Sequence, residues 1–151
     1  MPRTQINPTQ IRHADTNGQI LRTRGGLAVW DDDLFPLQAA FDGGGSPIPV
    51  GKTARVYCPV AVTITASTII ADVSGSIVID VWVSSYPTAP TSANSITGSA
   101  KPTISNSDHA QDIVLGNWST SVPAGSWIVF HVDSCSEITS ASICLSAKRS
   151  S

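Results

Sequence analysis

The sequence predicts an all-β fold, a sandwich or barrel of roughly six to eight short antiparallel strands led by an extended arm. Three observations predict it. Beyond Gly45 apolar residues recur with a period of two, and no segment there offers the i, i+3, i+4 pattern of a capped amphipathic helix. Gly, Pro and Ser turns punctuate the strands at short intervals. Charged residues make up only 13% of the chain while hydrophobic residues reach 41%, so hydroxyls rather than Lys and Glu wet the outer faces. Soluble domains usually carry roughly 25% charge. With so many apolar residues and a net charge of only −2, the composition excludes disorder.

The elements follow in chain order. Residues 1–46 form the expected arm, broken by Pro8, Gly18, Gly25, Gly26, Pro36 and Gly43-Gly44-Gly45. Extended pieces are expected at Gln19-Ile20-Leu21 and Leu27-Ala28-Val29-Trp30, with Arg24-Gly25-Gly26 turning between them. A two-stranded hairpin alone is marginal in water, so the arm should become ordered against a partner. Residues 47–151 form the expected sandwich. Pro59 to Thr65 places Val60, Val62 and Ile64 on one side, and Ser76 to Val83 places Ile77, Ile79, Val81 and Val83 inward. Trp127 to Asp133 turns Ile128, Phe130 and Val132 to the core, and Ser142 to Ala147 does the same with Ile143, Leu145 and Ala147. Weaker strands are expected at Thr53–Cys58, Thr68–Asp72 and Asp112–Leu115. The turn-rich stretch from Ser84 to Asn106 reads as a loop crossing the top of the sandwich, of a length that is usually functional or buried against another subunit.

Charge is unevenly spread. Residues 1–30 hold Arg3, Arg12, Arg22 and Arg24 against Asp15, a net +3 that leaves −5 for the remainder of the −2 total. Four spaced arginines without lysine clusters or interleaved aromatics are too thin a footprint for nucleic acid, and a protein-docking arm suits them better. Three cysteines, Cys58, Cys135 and Cys144, cannot all pair within one chain and are expected as free thiols. The opening residues lead into polar sequence rather than the apolar core of a signal peptide, and no apolar run approaches a membrane span. No nucleic-acid or membrane partner is therefore expected, and the chain should fold in the cytosol.

No constellation carries catalysis. Gly51-Lys52-Thr53 has the end of a phosphate-binding loop, but the glycine required six positions before the lysine is Ser46, and Pro47 and Pro49 remove needed amides. His13, His109 and His131 lack metal-ligand spacing. Asp108-His109 reads as a solvated polar loop, and Asp31-Asp32-Asp33 lies beside the arm. Asn117-Trp118-Ser119 fits a glycosylation sequon, which means little without a secretory signal. Neither a catalytic residue, a metal nor a cofactor is expected.

The aromatic residues point to surfaces instead. Trp82, Trp127 and His131 alternate with the aliphatic rows of their strands and should face outward, which makes them candidates for an oligomer interface. Tyr86 and Trp118 fall in expected loops and are candidates for contacting a receptor or glycan.

Two stretches resemble known modules. Gln5-Ile6-Asn7-Pro8-Thr9-Gln10-Ile11, Thr16-Asn17-Gly18-Gln19-Ile20-Leu21 and Gly25-Gly26-Leu27-Ala28-Val29-Trp30 resemble a linker common in phage tail-fibre and other virion proteins. Residues 41–147 resemble a jelly-roll-like module of phage structural proteins. Its landmarks are Phe41-Asp42-Gly43-Gly44-Gly45, Ile70 to Trp82, Ile96 to Pro102, Leu115-Gly116-Asn117-Trp118, Pro123-Ala124-Gly125 and Phe130 to Ser134.

The resemblance implies a jelly-roll-like antiparallel sandwich acting as a homotrimer within a bacteriophage virion, assembled in the host cytoplasm. Ile6, Ile11, Ile20, Leu21, Val29 and Trp30 would then make the docking or oligomer arm. The implied partners are sister copies and other virion proteins of tail, portal vertex or coat, with a host surface glycan as a further one. A non-enzymatic fibre-like or spike-like appendage is the first reading. A capsid decoration protein that clamps coat subunits is the second, and a glycan-binding receptor-recognition head is the third.

Overall fold

The computed structural model describes residues 19–150. Nine strands and one short 3-10 turn at Ser92–Asn94 make up the regular structure of the described residues, and no α-helix occurs among them. The strands are β1 (Gln19–Arg24), β2 (Leu27–Asp32), β3 (Leu37–Asp42), β4 (Thr53–Cys58), β5 (Val62–Ser85), β6 (Thr103–Asp112), β7 (Ser121–Val122), β8 (Ser126–Ser136) and β9 (Ser140–Arg149). The fold is an all-β, jelly-roll-like antiparallel sandwich that closes toward a barrel.

The first two strands form a separate hairpin, with Gln19 opposite Asp32 and Arg24 opposite Leu27. Its two-residue turn needs positive φ at both central positions, and Gly25 (φ 56°) and Gly26 (φ 81°) supply it without a Cβ penalty. Leu21 sits across from Trp30, and Arg24 Nη2 reaches Asp31 Oδ2 at 2.7 Å.

The other seven strands form one hydrogen-bonded system in the order β3-β9-β5-β8-β4, with β6 and β7 also paired to β5. The 24-residue β5 organises it. Its first half pairs with β9 (Val62–Ala71) and its second half with β8 (Ser76–Ser85), so one strand passes from one layer of the sandwich to the other. The segments expected as separate strands, Thr68–Asp72 and Ser76–Val83, are parts of this one strand, with a bend between them marked by register shifts against β6. Gly75 allows it. A Cβ there would meet Ser136 O at 2.5 Å and Ile138 Cγ1 at 2.9 Å. Asp72 holds the facing turn by accepting from Ser140 N (2.9 Å), Thr139 N (3.2 Å) and the Thr139 hydroxyl. Those bonds, the Thr139 hydroxyl first, hold its carboxyl below the ordinary range.

The core is the set of inward rows that alternation predicts. Ile77, Ile79 and Val81 of β5, Ile128, Phe130 and Val132 of β8, and Ile143, Leu145 and Ala147 of β9 are all buried. Apolar area removed from water at about 25 cal/mol per Å² is what holds the two layers together. Cys58 is buried as a free thiol and burial pushes it up, while Cys135 and Cys144 are half-buried and also free.

Three boundaries differ from the sequence expectation. β3 belongs to the sandwich, pairing with β9 along its whole length and burying Leu37 and Phe41 in the core. The domain therefore begins near Leu34, which bridges to Lys148, rather than at residue 47. Asp108-His109 lies within β6, not in a loop, whereas Ile113–Leu115 forms a turn in which Asp112 Oδ1 accepts from Val114 N (2.8 Å) and Leu115 N (3.1 Å). Thirdly, the connection expected at Ser84–Asn106 spans only the residues between Ser85 and Thr103. It runs beside β5 rather than over the top: Ile96 N donates to Val81 O (2.9 Å), Ile79 N to Pro102 O (2.9 Å), and Ser95 bridges to Trp82.

Candidate functional site

Strand register decides which side chains share the outer face of the β4-β8-β5 layer. In β4 the residues Ala54, Val56 and Cys58 turn to the core, so Thr53, Arg55 and Tyr57 point out. Pairing then makes three outward rows: Thr53-His131-Asp80, Arg55-Val129-Trp82 and Tyr57-Trp127-Ser84. The face thus gathers Trp82, Trp127 and His131, as their outward alternation predicts. Tyr86, one residue beyond β5, joins them.

One half of this face is closed by the chain itself. Asp80 is only 3% exposed although it points outward. Its Oδ1 accepts from Ser95 Oγ (2.7 Å), Thr97 Oγ1 (2.8 Å) and Val81 N (2.8 Å), and Lys101 Nζ stands 3.0 Å from its Oδ2. Burial alone would raise this carboxyl, but the Ser95 hydroxyl, the nearby Trp82 indole N–H, the Thr97 hydroxyl and the Lys101 ammonium outweigh it and hold Asp80 below its ordinary value. The Trp82 indole N–H is buried and makes no bond of ordinary length, yet it lies close enough to the carboxylate to favour the charged form.

Lys101 also contacts Asp133 Oδ2 (2.6 Å), and Asp133 Oδ1 in turn meets His131 Nδ1 (2.8 Å). The Asp133 and Asp80 bonds, in that order, raise the Lys101 ammonium above its ordinary value. His131 completes the arrangement by stacking on Trp82, centroids 4.5 Å apart and planes 21° from parallel. These contacts fasten the 92–102 connection to the sheet. Trp82 and His131 therefore lie next to the chain's own 92–102 connection and remain half-buried.

The other half is open. Tyr57 and Tyr86 are 57% and 66% exposed, and their rings meet edge to face with centroids 6.1 Å apart and an 80° interplanar angle. With Arg55, Val56 and Trp127 they line a cleft of about 360 Å³ whose walls are almost wholly carbon. Tyr57 and Arg55 were not singled out in the sequence, although their i, i+2 spacing opposite Ala54, Val56 and Cys58 carries the signal. Trp118 lies elsewhere: it packs against the core and donates its indole N–H to Ala100 O at 2.7 Å, which makes it a tack for its loop. A second depression of about 350 Å³ lies on the β3-β9-β5 layer among Gln38, Thr68, Ile70 and Cys144, and no charged side chain lines it.

The arm candidates divide. Ile6 and Ile11 lie outside the described residues. Ile20, Leu21, Val29 and Trp30 lie on the hairpin, where Leu21 and Leu27 are exposed. The hairpin is a sheet of its own, joined to the sandwich through Asp33 and Arg149, whose N–H donates to Asp33 O at 2.7 Å.

The ionisable cluster does not form a nucleophile with its base. Ser95 donates its hydroxyl to Asp80, His131 faces Asp133, and among the described residues no hydrogen bond joins Ser95 to His131. Among those residues, too, no group of three or more His, Cys, Asp or Glu comes together to hold a metal ion, and no helix is long and apolar enough to cross a membrane.

No family model and no curated protein matches the chain. Among solved structures, it is similar to a chain from the structure of infectious bursal disease virus, Gx strain, at 8% identity with a TM-score of 0.22. The match covers 87% of this chain and 41% of that one, so this chain spans less than half of the neighbour's length. A likeness that loose carries no argument about role.

Proposed function

We infer that this chain is a non-enzymatic structural subunit of a bacteriophage particle, a homotrimeric fibre-like or spike-like appendage. The leading arm grips the particle and the sandwich is displayed outward. The observation that carries the reading is the β1–β2 hairpin. It stands apart from the seven-stranded system, both of its outer edges lack a strand partner among the described residues, and Leu21 and Leu27 face water. Such a hairpin gains most of its stability by adding to another sheet or surface. Its charges balance, Arg22 and Arg24 against Asp31 and Asp32 with Arg24 already paired to Asp31, so the grip rests on the exposed apolar side chains. The resemblance of residues 5–30 to a tail-fibre linker adds the trimeric state and the phage setting.

The test uses particles assembled with Leu21→Asp and Leu27→Asp in the full chain. Incorporation, measured by mass spectrometry of purified virions, should fall sharply while the free protein keeps its fold. Incorporation at the unmodified level, or absence of the unmodified chain from virions, overturns the proposal. Copy number separates an appendage, present in a few tens of copies or fewer, from a coat-lattice clamp present in hundreds.

A further inference from the structure

We propose that the corner made by Tyr57, Tyr86 and Trp127 is a binding site for an acidic glycan, with Arg55 receiving the sugar carboxylate. This goes beyond docking by the arm, and because cleft and hairpin are separate surfaces either reading can fail alone.

A pyranose ring presents a face of C–H groups that packs on the negative face of an aromatic ring, and a rim of hydroxyls that stays wet. Tyr and Trp supply that surface at low entropic cost because each fixes only two side-chain torsions. Here the two tyrosine rings stand nearly perpendicular, at 80° and 6.1 Å, while Trp127 is paired with Tyr57 across β4 and β8. One ring can therefore lie under a sugar while the other closes against its edge. The volume of about 360 Å³ sits at the small end of the range for ligand sites, which suits one or two sugar units.

Charge selects the class of sugar. Arg55 is exposed, lies two residues before Tyr57 on the same side of β4, and lines the cleft. The ion pairs among the described residues use Arg24, Lys101 and Arg149 as cations, His109 and His131 each stand beside an aspartate, and none of these contacts uses Arg55. An arginine at the border of an aromatic cleft can extend its guanidinium fork to a bound ligand, and that fork is matched in shape and charge to a carboxylate.

The same charge argues against a symmetric contact between copies. The acids on this sheet face, Asp80 and Asp133, are already engaged by Lys101 and His131. Burying the face against its own copy would strand Arg55 without a counter-ion, which is costly.

The experiment probes the full chain with a panel of immobilised neutral and carboxylated glycans. The tightest carboxylated glycan and its methyl ester are then titrated while tryptophan fluorescence is followed. Carboxylated glycans should be retained over neutral ones. Tyr57→Ala and Tyr86→Ala should abolish retention with unchanged circular dichroism. Arg55→Gln should weaken the acid about tenfold while leaving the ester unaffected. Retention of no carboxylated glycan across the panel overturns the proposal, as does binding indifferent to these three substitutions. So does a change of native mass in the tyrosine variants, which would make the corner a contact between copies.

Discussion

The Trp82 indole stacks on the His131 imidazole with centroids 4.5 Å apart and planes 21° from parallel, joining the second half of β5 to β8 on the outer face of the sheet. The same histidine holds Asp133, and through it Lys101, so one stacked pair is tied to the fastening of a long connection. A stack of this kind contributes about 0.5–1.5 kcal/mol beyond area burial. His131→Ala is therefore expected to lower stability by about 1 kcal/mol and to shift Trp82 emission to the red as water reaches the indole. Urea unfolding and steady-state fluorescence check both, and an unshifted spectrum would show that the stack does not shield Trp82.

Asp80 is the larger dependency. It satisfies Ser95, Thr97 and Lys101 at once, and all three belong to the connection between β5 and β6. Asp80→Asn keeps the shape but removes the charge and one acceptor, at an expected cost of about 1–3 kcal/mol. The loss should be local first: amide exchange over residues 92–102 should speed up more than exchange in β8 or β9.

The acid side of the stability profile follows from the same carboxyl. Its folded value lies below the ordinary 3.8, so its contribution is fully present above that value and is lost as pH falls through the folded one. Lys101 runs the other way. Its folded value lies above the ordinary 10.5, so its contribution is present below that and disappears as pH rises past it. The expected profile from these two groups is a plateau across neutral pH with losses at both ends. Asp80→Asn should flatten part of the acid limb, and Lys101→Met part of the alkaline limb, in chemical unfolding followed across pH.

Gly75 tests the bend in β5. A methyl group at this position must displace the Ser136 carbonyl, backbone of the neighbouring strand that cannot rotate away. Gly75→Ala is expected to cost about 1–3 kcal/mol by overpacking. Gly44→Ala, where nothing stands within 4 Å, controls for the loss of a glycine, although its positive φ adds a strain of its own. Denaturant midpoints compare the two.

Much of the architecture was legible in the chain because one side of each main strand is dry. Ile128, Phe130 and Val132 alternate with Trp127, Val129 and His131, and no other register buries the first set. The hairpin was legible for a different reason, since only a pair like Gly25-Gly26 turns so tightly. β6 was not. Its sequence, Thr-Ile-Ser-Asn-Ser-Asp-His-Ala-Gln-Asp, buries little beyond Ile104, and it is a strand because β5 offers it backbone partners. β3 carried the signal in Leu37, Ala39 and Phe41, but the glycines and prolines around it obscured its place in the core.

By itself, then, the sequence determined the all-β class, the inward rows, the tight hairpin and the outward direction of Trp82, Trp127 and His131. Tertiary structure alone decided that β5 serves both layers, that Asp80 is buried under the hydroxyls of Ser95 and Thr97, and that Arg55 and Tyr57 stand beside Tyr86 and Trp127. The reason is physical. Alternation is a property of one strand and shows in its own residues, whereas register and burial belong to pairs of strands distant along the chain, and no single segment encodes them.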